Sequence, residues 1–156
     1  MLRKTTAGKK QMKFFKNKKT RGNLMVCYEN TEVSKETLRL AQKYAKGWQV
    51  AVDVVSSFKR EEPLAISEVK EMEEVFQTQI KEQFTNNDIP HHAHQLVDIY
   101  SPGEQLVKFS EGKDYEFIFI GISKRSKVGK LLFGSTAQYI ILNAPYPVIT
   151  VNGLGR

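Results

Sequence analysis

Only one cysteine, Cys27, and one tryptophan, Trp48, occur among the 156 residues. A lone thiol excludes an internal disulfide framework and suits a reducing compartment. Long apolar runs are missing too: the stretch from Phe117 to Ile122 falls far short of the roughly 20 residues a membrane helix needs. The N-terminus is basic but has no apolar segment behind it, so it does not read as a secretory signal. Acids are absent from one region. Residues 1–22 hold nine of the 24 Lys and Arg and none of the 17 Asp and Glu. From Asn23 onward 15 basic residues face 17 acidic ones, so the overall charge of +7 belongs to the first segment. That segment reads as an unstructured, solvated extension. The body shows no DNA- or RNA-reading motif, and nucleic acid is not expected as a partner. These features predict a soluble cytoplasmic protein with one domain over 23–152, a basic extension over 1–22 and a short tail over 153–156.

What is present is a regular alternation. Leu24 to Tyr28 is a short apolar run, the mark of a strand buried on both faces. Val33 to Lys46 has helical spacing, with Thr31 or Ser34 available as a cap and Gly47 as a stop. Val50 to Val55 reads as a second strand, opened by Trp48 and interrupted by Asp53. Glu61 to Phe84 carries apolar residues at helical spacing, with Pro63 near its start. His92 to Ile99 is a third, weaker strand, and Ser101-Pro102-Gly103 turns into a short helix. Tyr115 to Ile120 is the strongest strand, Gly134 to Asn143 a helix, and Pro147 to Val151 the last strand. Strands alternating with helices predict an α/β fold of the Rossmann type: an open, doubly wound sheet of five parallel strands with helices on both faces. In such sheets ligands sit beyond the carboxyl ends of the strands where the connection order reverses. Attention therefore falls on the residues after strands one and four.

Several polar residues invite other readings. His92 and His94 would share one face of a strand, but no Cys or acid has metal-ligand spacing nearby, so they read as a solvated strand start. Cys27, inside an apolar run, reads as a small core residue. Asp53 is the odd residue in a buried strand and has no assignable role. No paired carboxylates and no nucleophile–base couple can be read from the spacing, so an enzyme is not expected.

The segment after strand four carries the chemistry. Gly121 allows close backbone approach, and Gly134-Ser135-Thr136 opens a helix with free N–H groups and hydroxyls at its positive end, a ready phosphate site. Lys124, Arg125, Lys127 and Lys130 add positive charge between them. Capping by Ser135 or Thr136 is the plainer reading of those hydroxyls. On these residues the chain resembles the universal stress protein family, whose nucleotide-binding members carry G-x2-G-x9-G-S/T here. Gly121, Lys124, Gly134 and Ser135 match the spacing, with lysine in place of the second glycine. Leu131 to Gln138, and then Asn143-Ala-Pro-Tyr-Pro-Val-Ile-Thr-Val, are similar to the family's C-terminal signature. Leu24 to Glu32 and Ser101 to Glu104 match its first-strand and third-strand turns.

The resemblance implies a non-enzymatic stress-response module that binds ATP or a related adenine nucleotide, with Mg or Mn on the phosphates. Glu29, where the family usually has Asp, would meet ribose or adenine, with Tyr28 beside it and Val54 against the base. Gly121 would border the ribose, and Lys124, Gly134, Ser135 and Thr136 would hold the phosphates. Lys124 either supplies charge to the phosphates or obstructs the backbone that a glycine would leave open. The resemblance also implies a homodimer paired through the last strand, with Val148, Thr150 and Val151 at its edge. The alternative is a dimeric interaction protein of the same fold whose cleft is no longer occupied.

Overall fold

The computed structural model describes residues 21–123 and 133–153, so residues 1–20 of the basic extension, residues 124–132 with Lys124, and residues 154–156 lie outside it. Nine elements alternate along the chain: β1 (Asn23–Cys27), α1 (Glu32–Trp48), β2 (Val52–Lys59), α2 (Ile66–Gln83), β3 (His91–Asp98), α3 (Pro102–Ser110), β4 (Tyr115–Ile122), α4 (Ser135–Asn143) and β5 (Val148–Asn152). The strands form one sheet in the order β3-β2-β1-β4-β5, and every neighbouring pair is parallel. The α/β fold with helices on both faces is the one the alternation predicts. The connection order reverses between β1 and β4, which opens the crevice there.

Each face has its own core. Leu24, Val26, Val52, Val54 and Phe119 project to one side, under Leu38 and Ala41 of α1 and Phe76 and Ile80 of α2. Met25, Cys27, Val55, Ile118 and Ile120 project to the other, under Leu106 and Val107 of α3 and Ala137 and Ile140 of α4. Central strands buried on both faces explain why β1 and β4 read as continuous apolar runs rather than alternating ones.

Several boundaries differ from the expectation. α1 passes through Gly47 and is closed by Gln49, whose left-handed backbone (φ 57°) turns the chain so that the Val50 N–H reaches back to the Ala45 carbonyl at 3.1 Å. Trp48 is therefore the last residue of α1, not the opening of strand two. β2 runs on to Lys59 because it stays paired with β3 as far as Asp98. α2 begins at Ile66, with the Glu68 carboxylate accepting the Ala65 N–H at 2.7 Å, which leaves Pro63 ahead of the helix. β4 continues through Gly121 to Ile122, since both residues pair with β5. Among the described residues, no helix is long and apolar enough to cross a membrane.

Candidate functional site

The crevice forms where two helices begin. After β1, Asn30 takes a left-handed backbone (φ 56°), a conformation Asn tolerates well. The chain turns there, presents Glu29 to solvent and enters α1 at Thr31. Thr31 Oγ1 accepts the Ser34 N–H at 3.2 Å and Ser34 Oγ accepts the Thr31 N–H at 2.9 Å, a reciprocal cap that satisfies two of the free donors at that end. On the other side of the crevice α4 starts from Gly134, which has extended backbone and gives no side-chain cap. The two N-termini flank a cleft of about 170 Å³ whose floor is Cys27 and Ile120 and whose rim includes Glu29, Gly121, Ser135 and Thr136.

The two glycines play different parts. A Cβ on Gly121 would meet Thr37 Oγ1 at 3.0 Å and Val33 Cγ2 at 3.1 Å, so this glycine lets α1 lie close on β4. Among the described residues, a Cβ on Gly134 would meet nothing within 4 Å. Packing against the described residues does not require glycine there, and Gly134 itself supplies no side-chain cap to the first N–H groups of α4. Gly134, not Ser135, holds the capping position, so the Ser135 and Thr136 hydroxyls lie in the first turn of α4.

The structure brings Tyr28, Glu29, Gly121, Gly134, Ser135 and Thr136 to one cleft. The Tyr28 ring, however, is buried against Phe76 of α2 with centroids 6.1 Å apart, and its hydroxyl donates to Asn30 Oδ1 at 3.4 Å. Burial raises the Tyr28 pKa, so the phenol stays protonated. Val54 is not at the cleft. It pairs with Val26 inside the sheet and is fully buried beneath α1 and α2. The β2 residue that reaches the cleft is Ser57, two positions past the Cys27–Val55 pair and thus level with Glu29. Leu106 of α3 and Ser123 also line the walls. The spacing gave no sign of Ser57, because it depends on how far β2 runs beside β3. Cys27 lies at the floor, and burial, with Glu29 adding to it, pushes its thiol up to about 12, so it stays protonated and unreactive. Lys124 falls outside the described residues.

A doubly wound parallel sheet whose switch-point crevice is rimmed by two helix N-termini, one of them uncapped, is a fold for holding small anionic ligands. Residues 20–152 match the family model described as Universal stress protein family. The chain belongs to the universal stress protein family. A universal stress protein of Mycolicibacterium smegmatis is 34% identical over 76 residues, 49% of this chain and 58% of that protein, so the match spans little more than half of the relative's length. The solved universal stress protein from Archaeoglobus fulgidus superposes with a TM-score of 0.70 at 30% identity, covering 83% of this chain and 98% of that one. A universal stress protein from the same organism, solved in complex with dAMP, superposes with a TM-score of 0.66 at 26% identity, covering 85% and 98%.

Proposed function

We propose that the protein binds an adenine nucleotide in this cleft and acts in a stress response through nucleotide-dependent or partner-dependent regulation, without strong catalysis. The observation that carries the reading is the start of α4, where, among the described residues, Gly134 leaves the helix without a side-chain cap and open beside its backbone. Those N–H groups, with the Ser135 and Thr136 hydroxyls, suit phosphate oxygens at the positive end of the helix dipole. Glu29 faces the ribose hydroxyls with Tyr28 behind it, Gly121 borders the sugar, and Ser57 replaces Val54 as the β2 residue near the base. Lys124 adds its charge to the phosphates. When ATP is the ligand, Mg or Mn supplies further charge neutralisation there. Glu29 is the only acid lining the cleft among the described residues, too few for metal ligation and water activation together. The dAMP-bound relative supports the ligand class.

The dimer belongs to the same proposal. β5 is an edge strand, and beside it α4 exposes Leu142 at 82% and Ile141 at 42%. Antiparallel pairing of two β5 strands through Val148, Thr150 and Val151 would occupy the unpaired backbone groups and cover this apolar surface. Light scattering on Leu142→Glu is expected to show monomer where the native chain shows dimer.

One observation favours the alternative of a dimeric interaction protein with an empty cleft: about 170 Å³ lies below the roughly 300 Å³ at which small-molecule pockets begin. The test decides between them. Purified protein is denatured and the released small molecules are identified by absorbance and mass spectrometry. Refolded or ligand-free protein is then melted with dAMP, AMP and ATP, with and without Mg²⁺. Bound nucleotide stabilises the native state, by about 2.7 kcal/mol at a ligand concentration 100 times Kd, and Ser135→Ala should shrink the shift. A clean blank with no shift for any nucleotide defeats the reading and leaves the interaction protein.

A further inference from the structure

At the opposite end of the sheet lies a polar cluster that the cleft does not use. Asp53 projects from β2 onto the α3/α4 face and is 9% exposed. A carboxylate in an apolar layer is costly unless its oxygens are bonded. Tyr115, at the start of β4, donates its phenol O–H to Asp53 Oδ2 at 2.5 Å. His92 is Asp53's register partner on β3, and its Nδ1 stands 3.0 Å from Oδ1. His94 lies two residues along the same strand, with Nε2 4.0 Å from that same oxygen. One carboxylate oxygen is thus committed to a buried phenol, while the other faces two imidazoles. The acid missing from the linear spacing around the histidines comes from the next strand, 39 residues away.

We propose that Asp53, His92 and His94 form a binding site for a divalent transition ion of the Zn²⁺ class, with Tyr115 as the residue that positions the carboxylate. Two imidazoles and one carboxylate oxygen suit such an ion better than Mg²⁺ or Ca²⁺, which take oxygen donors. Ligand atoms bonded to zinc at about 2.0–2.2 Å in a tetrahedron stand about 3.4 Å apart. The 3.0 Å and 4.0 Å separations from Oδ1 bracket that value. Among the described residues no group of three His, Cys, Asp or Glu side chains is placed to hold a metal ion as it stands. Closing this one requires the His94 ring to swing towards Oδ1 and the two imidazoles, whose ring centroids are 6.3 Å apart, to draw together. The His94 ring packs on Phe109 with centroids 4.9 Å apart and is 35% exposed, so it has room to move towards Oδ1. The His92 side chain is 65% exposed, which leaves the ion's remaining position to water. The ion replaces the proton shared by His92 Nδ1 and Asp53 Oδ1, and the neutral imidazole then carries its N–H on Nε2. A phenol bonded to the far oxygen of a ligating carboxylate is the outer-shell support that metal sites use.

All three histidines of the chain stand at 91, 92 and 94, which makes the test clean. His91 belongs to the other face, stacked on Phe84 with centroids 4.0 Å apart and its Nδ1 2.9 Å from the Ile89 carbonyl. Full-length protein, stripped with chelator and free of nucleotide, is titrated with Co²⁺ by visible absorption and with Zn²⁺ by calorimetry. Saturable binding of one ion per chain is expected. His92→Ala and His94→Ala should each weaken it at least about tenfold, and Tyr115→Phe by about tenfold as an outer-shell loss. His91→Ala should leave it unchanged, and circular dichroism verifies that each variant is folded. No cobalt band and no zinc heat with folded native protein overturns the proposal. So does binding that survives both His92→Ala and His94→Ala. Neither readout depends on whether the cleft takes a nucleotide.

Discussion

The two ends of the sheet are built on different principles. At the carboxyl end the site consists of backbone N–H groups, small residues and hydroxyls, and Glu29 is the one acid lining it among the described residues. At the amino end the cluster consists of long side chains from three strands, meeting on a buried carboxylate. The first arrangement tolerates sequence change so long as the turns and helix starts keep their places. The second depends on each partner, because removing one leaves another polar group buried and unpaired.

Four substitutions or conditions sharpen that contrast. The largest effect should come from Gly121→Val, whose side chain is driven into Val33 and Thr37. Overpacking of this kind costs about 1–3 kcal/mol, read as a lower denaturant midpoint; an unchanged midpoint would mean that α1 can shift freely. At the amino end, Asp53→Ala strands the Tyr115 hydroxyl and should cost about 2 kcal/mol. Adding Tyr115→Phe should recover part of that loss, and a strictly additive double variant would show that the two groups are not coupled.

The third effect is on pH dependence. Burial, and then Asp53, raise the Tyr115 pKa above its ordinary value of 10.0. A raised pKa gives stability that is complete below 10 and is lost as pH rises beyond it. The native chain should therefore lose more stability than Tyr115→Phe when urea melts are carried above pH 10, and parallel curves would refute this. The smallest effect is expected at Gly134→Ser. A serine cap exceeds glycine by a few tenths of a kcal/mol, so the variant should melt slightly higher. The same hydroxyl competes for the N–H groups offered to phosphate, so nucleotide-induced stabilisation should fall.

The carboxyl end was legible in the chain because glycines, hydroxyls and prolines punctuate it at fixed intervals, and such punctuation is local. The amino end was not. Asp53 meets Tyr115 across 62 residues and His92 across 39, and only strand register brings them together. Register also misled the reading of β2. An apolar run ending at Val55 suggested that the strand stops there, and the family resemblance set Val54, late in that shortened strand, against the base. Pairing with β3 carries the strand to Lys59, so the residue level with Glu29 is Ser57. Likewise Gly47 looked like the end of α1, but Gln49 accepts the left-handed backbone instead. Periodicity identifies an element, whereas its last turn is decided by neighbours that the sequence does not display.

Trp48 gives the molecule its own optical reporter. The chain's single indole lies at the far end of α1 from the cleft, with the Arg21 guanidinium 4.3 Å above its ring and Phe117 5.8 Å away. Its emission will follow the melting of the α1–β4 contact without labels. It will be nearly blind to events at the opposite end of the sheet, so intrinsic fluorescence can separate a loosened fold from an occupied cleft in one sample.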